Sequence, residues 1–306
     1  MRTLNPFPGQ EDQVVVVVNR TVNGVVQRFV EYFMPQELFS LLSNAFFVHS
    51  GQQWQGLPLV NITAIANGAG CQVTAPNHGF SNGMLVRIQN VVGMSYQASG
   101  PGGTYTVSYI NQDYTEAYTV AAATTNTFQL LGMDSTAWSA YISGGTAIQV
   151  TNVVTGLSYL IGNTVTAVGD GAVILQNTLV TSDSITFPYY YNLLTIGIPY
   201  TLTIQPTDPA LESESTTTVG MRQKLSRVTM SLYESMGGMS GTELGYMYPI
   251  DYGLGQRLNQ PSMTTADITR DMDDEWDDNS TFIVVHNDPL PFTLKGLVFR
   301  MVVVQD

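Results

Sequence analysis

The sequence QVVVVVNRTVNGVVQRFVEYF, residues 13–33, has a valine-rich run on each side of Asn23 and Gly24. Asn-Gly between two apolar runs is a strong hairpin signal, because both central residues of a type I′ turn need a positive φ. We therefore predict two antiparallel strands joined at this turn. Arg20 and Arg28, on opposite arms, are predicted to face solvent.

Most of the remaining chain shows the same strand-and-turn pattern. Asp170-Gly171 is a second hairpin signal, and residues 222–235 alternate apolar and polar side chains as a half-buried strand does. A short helix is predicted over residues 35–47, since Pro35 suits the first helical position. The fold is therefore predicted to be all-β, with several small β-barrel or sandwich domains and very little helix.

Glycine-rich turns separate the predicted strands in the middle of the chain. These strands cover residues 71–74, 84–89, 104–110, 118–121, 127–131 and 146–150. Gly144 and Gly145 are predicted to form a turn. Residues 207–220 are predicted to be a polar loop or hinge, and residues 236–255 are predicted to be irregular.

Three domains are predicted, with one inserted into another. Residues 1–60 and 151–206 form a discontinuous β platform domain, and residues 61–150 form a β-barrel domain inserted into it. Residues 207–306 form a C-terminal β domain with an acidic loop. Such an insertion is tolerated because the entropy of loop closure grows slowly with loop length.

The chain is poor in charge and acidic. Its 306 residues contain 24 acids and 11 bases, for a net charge of −13, and charged residues make up 11% of the sequence. No Lys or Arg lies between Arg87 and Arg222, whereas eight acids do. So few cations cannot neutralise many phosphates, which disfavours conventional nucleic-acid binding and attachment to an anionic membrane surface.

Motifs for cofactors or structural metals are missing from the sequence. Cys71 is the only cysteine, which excludes an intrachain disulfide, and it is predicted to be a small buried hydrophobe. His49, His78 and His286 lack the spacing of metal ligands. The sequence contains no P-loop or dinucleotide fingerprint. No catalytic residue, cofactor or metal is predicted.

An acidic run surrounds Trp276. Its seven acids are Asp267, Asp271, Asp273, Asp274, Glu275, Asp277 and Asp278. One interpretation is a divalent-ion site, because hard cations prefer carboxylate oxygens, although Trp276 and Phe282 stand where an EF-hand needs Gly and Glu. A second is a solvated surface loop that discourages association of sheet edges. A third is a carboxylate pair for glycoside hydrolysis, with Asp273 or Asp274 as a member.

Two further groups of side chains have alternative interpretations. Met230, Met236, Met239 and Met247 either fill a core or form an adaptable contact surface. Tyr96, Trp138 and Tyr141 are candidates for a sugar-stacking face.

Two sets of sequence blocks resemble known phage modules. HGFSNGMLVRIQNVVGM (78–94), TYTV (104–107) and TTNTFQLLGMDSTAWSAYISGGTA (124–147) together resemble the FCCH-type module of phage structural proteins, a small β-barrel named after a domain of ubiquitin-activating enzymes. This label implies a shared barrel shape and no ubiquitin chemistry. The inserted domain is therefore expected to be FCCH-like.

Six blocks around this module resemble the tail nozzle family of short-tailed bacteriophages, the tail tubular protein B or tail hub type. They are EDQVVVVVNRTVNGVVQRFVEYF (11–33), AFFVHSG (45–51), VTGLSYLIGNTVTAVGDGAV (154–173), IGIPYTLTIQPT (196–207), KLSRVTMSLYESMGG (224–238) and DPLPFTLKGLVFRMVV (288–303). They occur in the order found in the later part of that family.

The nozzle resemblance implies a non-enzymatic virion structural protein. Members assemble as a homo-oligomeric ring, a hexamer, below the tail adaptor ring, and their channel retains the genome and passes it during ejection. Double-stranded DNA is expected to pass without sequence-specific contacts. The inserted module is expected to contact tail fibres or the host cell surface. The expected location is the virion tail, assembled in the host cytoplasm.

Two other functions stay open from the sequence. The first is a receptor-binding or carbohydrate-binding tail protein that uses the candidate sugar-stacking face. The second is a glycan depolymerase that uses carboxylates of the acidic run.

Overall fold

The computed structural model describes residues 2–4, 13–34, 45–100, 103–108, 110–207, 212–213, 216–217, 221–253, 263–272, 276 and 281–303. Over these ranges the protein is all-β, as predicted. The helix described is a 3-10 turn over Ser158–Leu160. The predicted helix over residues 35–47 lies mostly outside the described residues. No helix in the described part of the chain is long and apolar enough to cross a membrane.

The strands follow one another closely along the chain. They are β1 (Arg2–Leu4), β2 (Gln13–Val22), β3 (Val25–Tyr32), β4 (His49–Gln55), β5 (Val60–Asn61), β6 (Ala64–Ala66), β7 (Gln72–Thr74), β8 (Leu85–Gly93), β9 (Ser95–Gly100), β10 (Gly103–Ser108), β11 (Tyr118–Ala121), β12 (Thr127–Leu130), β13 (Tyr141–Thr155), β14 (Thr164–Gly169), β15 (Ala172–Leu179), β16 (Ser184–Tyr191), β17 (Leu193–Ile198), β18 (Leu202–Ile204), β19 (Glu212–Ser213), β20 (Thr216–Thr217), β21 (Gln223–Ser235), β22 (Met239–Gly241), β23 (Met247–Pro249), β24 (Thr264–Asp271), β25 (Ile283–His286) and β26 (Thr293–Val303).

The chain divides into two compact units. The first comprises Met1–Gln52, Gly162–Leu179 and Ile196–Asp306, and the second comprises Gln53–Ile161 and Val180–Thr195. Strands β4 and β17 each continue from one unit into the other. The predicted inserted domain falls within the second unit and the predicted C-terminal domain within the first. The division into three domains stays a prediction.

The first unit contains several small antiparallel sheets. Their strand orders are β1-β2-β3, β15-β14-β17-β4, β18-β25-β22-β23, β19-β20 and β24-β21-β26. Asn23 and Gly24 have φ values of 48° and 78°, and Asp170 and Gly171 have φ values of 47° and 87°, so both predicted hairpin turns are confirmed. The short pair β19-β20 lies inside the segment predicted to be a loop.

The core beside β21 follows the predicted alternation. Leu225, Val228, Met230 and Leu232 are buried on one face of this strand, where they pack with Phe282 and other apolar side chains. Residues 236–255 were predicted to be irregular, and this prediction is wrong for the two short strands β22 and β23. Backbone pairing with β25 extends the sheet into this glycine-rich segment.

The second unit is built around an eight-stranded sheet and a separate pair, β10-β9. The main sheet has the order β16-β13-β8-β11-β12-β7-β6, and β5 also pairs with β13. Its core includes Cys71, Ile88 and Phe128, all without exposed surface. The thiol of Cys71 is therefore a small buried side chain, as predicted.

The prediction of a turn at Gly144 and Gly145 is wrong. Both residues lie inside the 15-residue strand β13, at φ values of 72° and 101°, close to an irregularity in its pairing with β8. Glycine adopts these positive φ values readily, so the strand continues through the irregularity. Gly145 also permits a close approach, because a Cβ there would lie 2.6 Å from Cγ2 of Val91.

We expect Gly145→Ala to destabilise the second unit more than Gly132→Ala does. Gly132 also has a positive φ, of 74°, but a Cβ there would meet no atom within 4 Å. The Gly132 variant should therefore lose about 1–2 kcal/mol from backbone strain alone, and the Gly145 variant about 1–3 kcal/mol more from overpacking. Chemical denaturation of both variants measures the difference, and equal losses would contradict the close approach.

Candidate functional site

Arg87 is the only Lys or Arg in the sequence of the second unit. It is 5% exposed. Its guanidinium carbon lies 4.1 Å from the centroid of the Tyr114 ring, and its Nη1 donates a hydrogen bond to the Tyr190 carbonyl at 2.9 Å. The single positive charge of this unit is thus held inside, and the unit presents no lysine or arginine to solvent.

The Tyr114 ring lies against this arginine, and we call Arg87, Tyr114 and the adjoining Tyr189, Tyr190 and Tyr191 the Arg87 cluster. The Tyr190 N–H donates to the Tyr114 carbonyl at 2.8 Å, and the rings of Tyr114 and Tyr191 lie 6.4 Å apart. Tyr114 and Tyr189 are 46% and 44% exposed. Exposed tyrosines combine an apolar ring with a polar hydroxyl, a combination that suits a contact surface.

The structure brings the predicted sugar-stacking residues into one neighbourhood of the second unit. The Ser139 N–H donates to the Ser95 carbonyl at 2.8 Å, which places Tyr96 and Trp138 on adjoining segments. Tyr96 is exposed, whereas Trp138 and Tyr141 are partly buried against the core. The Tyr141 hydroxyl donates to the Gly144 carbonyl at 2.8 Å. The rings of Trp138 and Tyr141 are therefore partly covered by packing, whereas the ring of Tyr96 is exposed.

Part of the acidic run forms a strand, so the prediction of a loop is wrong there. Asp267 and Asp271 lie on the exposed face of β24, whose residues alternate between exposed and partly buried. Trp276 is exposed, and Asp273, Asp274, Glu275, Asp277 and Asp278 lie outside the described residues. In the described part of the chain, no three His, Cys, Asp or Glu side chains are arranged to hold a metal ion.

Several arginines of the first unit are also engaged by neighbours. Nε and Nη2 of Arg20 donate to the two carboxylate oxygens of Glu31 at 2.8 and 3.0 Å, and the Arg20 side chain, predicted to face solvent, is only 20% exposed. The Arg20 guanidinium holds the pKa of Glu31 below its usual value, although burial alone would raise it. A hydrogen bond from the Ser50 hydroxyl also lowers this pKa. Arg28 is exposed, as predicted.

Two other arginines of the first unit have partners. Nε of Arg227 lies 2.6 Å from Oδ1 of Asp271. Nη1 of Arg270 donates to the Ser240 carbonyl at 2.6 Å, and its guanidinium carbon lies 4.6 Å from the centroid of the Tyr248 ring. Arg20, Arg87 and these two arginines are therefore occupied within the chain, whereas Arg28, Lys295 and Arg300 are exposed.

The three histidines lie in separate environments. His49 is exposed, with its ring 4.9 Å from that of Tyr200. His78 is a buried turn residue, and its Nδ1 accepts the Phe80 N–H at 2.9 Å. His286 is buried in the first unit and stacks on Phe292.

Burial shifts the pKa values of two internal groups, the Cys71 thiol and the His286 ring. Burial raises the pKa of the Cys71 thiol, which keeps it protonated and unreactive. Burial also lowers the pKa of His286, and its hydrogen bond to the Leu290 carbonyl and the Asp288 carboxylate only partly offset this effect. His286 is therefore held in its neutral form, with Nε2 donating to that carbonyl at 2.9 Å.

The methionines divide between the two interpretations. Met230 and Met236 are buried and act as core residues, whereas Met239 and Met247 are partly exposed. The Arg87 cluster is not among the sites predicted from the sequence. The run of three tyrosines at 189–191 is its local signal, but no local pattern links that run to Arg87 or Tyr114.

No protein-family model matches this sequence, and no curated protein matches it.

We expect the free energy of unfolding to fall as pH drops below the usual histidine pKa of about 6.5. The pKa of His286 is lower in the folded state, so the unfolded chain takes up its proton first. The contribution of His286 to the free energy of unfolding is fully present above about pH 6.5. Below that pH it declines by up to about 1.4 kcal/mol per pH unit until the folded-state pKa of His286 is reached.

Urea denaturation at a series of pH values measures this slope in the native protein and in His286→Gln. The variant should lose the histidine part of the slope and show its largest gain relative to the native protein at the lowest pH. Parallel pH profiles for the two proteins would contradict this assignment.

Proposed function

We propose that this chain is a non-enzymatic structural component of a phage tail, of the nozzle or hub class. In this proposal the chain forms a ring whose channel retains the genome and passes it during ejection. Its partners are further copies of itself, the tail adaptor ring, tail fibres and double-stranded DNA. The sequence resemblance supplies the class, and the observation that carries the proposal is the burial of Arg87, the one cation of the second unit, together with the ion pairs of Arg20 and Arg227.

The physical reason is electrostatic. Duplex DNA carries one negative charge per about 1.7 Å, and each cation that contacts a phosphate releases a counterion and strengthens binding. A wall that offers few such contacts lets a duplex slide. Arg87 is buried, and Arg20 and Arg227 are paired with carboxylates of the same chain. Cations that are buried or already paired suit a channel through which DNA slides better than a protein that binds DNA tightly.

Exposed valines on the hairpin β2-β3 favour a protein that assembles with partners. Val17, Val26 and Val30 share one face of β2 and β3, where Val17 pairs with Val30, and each is at least 65% exposed. Large exposed apolar patches on sheets mark surfaces that a partner covers. An oligomeric virion component supplies such partners.

The test is the assembly state and its response to DNA. We expect the chain to form closed rings with a central bore in negative-stain electron microscopy, and masses of several copies in mass photometry. At a salt concentration of about 0.15 M, linear duplex DNA should show no retardation by the rings, because too few free cations are available to neutralise its phosphates. Monomers at every concentration, or tight duplex binding, would count against the proposal.

A receptor-binding or carbohydrate-binding tail protein is the second candidate function. The exposed rings of Tyr114 and Tyr189 favour it, since aromatic rings stack on the apolar faces of sugars. The carboxylates suggested for a depolymerase lie outside the described residues, apart from Asp267 and Asp271.

If this second function holds, Tyr114→Ala and Tyr189→Ala should each reduce binding to a host polysaccharide about tenfold or more, because stacked area is lost. A glycan array measures the binding. Tyr246→Ala is the matched control, since Tyr246 is 66% exposed in the other unit. Equal binding by all three variants and the native chain would remove the Arg87 cluster as the site.

A further inference from the structure

The sheet β24-β21-β26 of the first unit has two outer strands of opposite charge. In the described part of the chain, neither β24 nor β26 pairs with a further strand on its outer side. The exposed face of β24 carries Asp267 and Asp271, and that of β26 carries Lys295 and Arg300. One sheet therefore ends in an acidic edge and in a basic edge.

The register of the sheet places these charges in matching rows. Arg227 of β21 lies opposite Asp271 on one side and opposite Arg300 on the other. Ser231 likewise lies opposite Asp267 and opposite Gly296, the neighbour of Lys295.

The spacing of the charges also agrees between the two edges. The acids are four residues apart and the cations five, and a register shift in β26 opposite Ser231 and Leu232 takes up the difference. The two charged pairs are thus in phase across the sheet.

We propose that β26 of one copy of this chain adds to β24 of the next copy. Both strands are antiparallel to β21, so they run in the same direction, and a continued sheet would pair them in parallel. Arg300 would then lie beside Asp271 of the next copy, and Lys295 beside its Asp267. The inference rests on the proposed ring and names the surface through which its copies meet.

Two observations favour a second copy as the occupant. The acidic and basic edges are complementary to each other, so each copy supplies both halves of the contact. The two surfaces differ, and such head-to-tail contacts produce closed rings when the rotation between copies closes.

The apolar side chains of β26 agree with this occupant. Val298 and Val302 are 69% and 48% exposed on the outer face of this edge strand. An unpaired apolar edge promotes uncontrolled association unless it is covered. Asp271 remains available to a neighbour, because its side chain is 77% exposed despite the Arg227 ion pair.

Two charge-reversed variants test the contact by mass photometry. Lys295→Glu with Arg300→Glu makes both edges acidic, and Asp267→Lys with Asp271→Lys makes both edges basic. We expect each variant alone to lose assembly about tenfold or more, because like charges then meet at the edge. An equimolar mixture should assemble again, since each variant offers the edge that the other needs.

A second pair of variants keeps the ion pair between Arg227 and Asp271. Lys295→Glu alone and Asp267→Lys alone should each weaken assembly, and their mixture should recover part of it. Glu243→Lys is the control, because Glu243 is an exposed acid of the same unit in the turn between β22 and β23. It should assemble as the native chain does.

The outcomes separate this inference from the proposed function. Assembly of the native chain and of every variant to the same extent overturns the strand contact and leaves the ring. An open filament that responds to the charge reversals supports the contact and overturns the ring. A native chain that stays monomeric at every concentration overturns both.

Discussion

Backbone pairing between strands holds this protein together, because its side chains offer few charges for ion pairs. Arg20 with Glu31 and Arg227 with Asp271 are ion pairs between neighbouring strands of one sheet. Each therefore adds to a pairing that the backbone hydrogen bonds already fix. Buried apolar faces, such as that of β21, then set which side of each sheet faces inward.

The small number of cations also determines how positive charge is distributed on the surface. Arg87 and Arg270 are each held by a backbone carbonyl and a tyrosine ring. Exposed cations remain on particular strands, among them Lys295 and Arg300 on β26. In the described part of the chain, exposed positive charge thus lies on a few strands, such as β3 with Arg28 and β26 with Lys295 and Arg300.

Features set by a few adjacent residues could be predicted from the sequence, and features set by distant contacts could not. The turns at Asn23-Gly24 and Asp170-Gly171 depend on local conformational preference, so the sequence identifies them. Gly145 resembles a turn residue, but its role depends on Val91, a neighbour in space. The Arg87 cluster joins three separate segments, and no local periodicity connects them.

Strand β13 gives the second unit a particular mechanical character. Over its 15 residues it pairs with β8 and β5 along one part and with β16 along another. A load applied along this strand would act on many ladder hydrogen bonds in shear at the same time, whereas a load applied across it would open them one after another. The unit should therefore resist stretching along β13 and peel apart readily in the perpendicular direction.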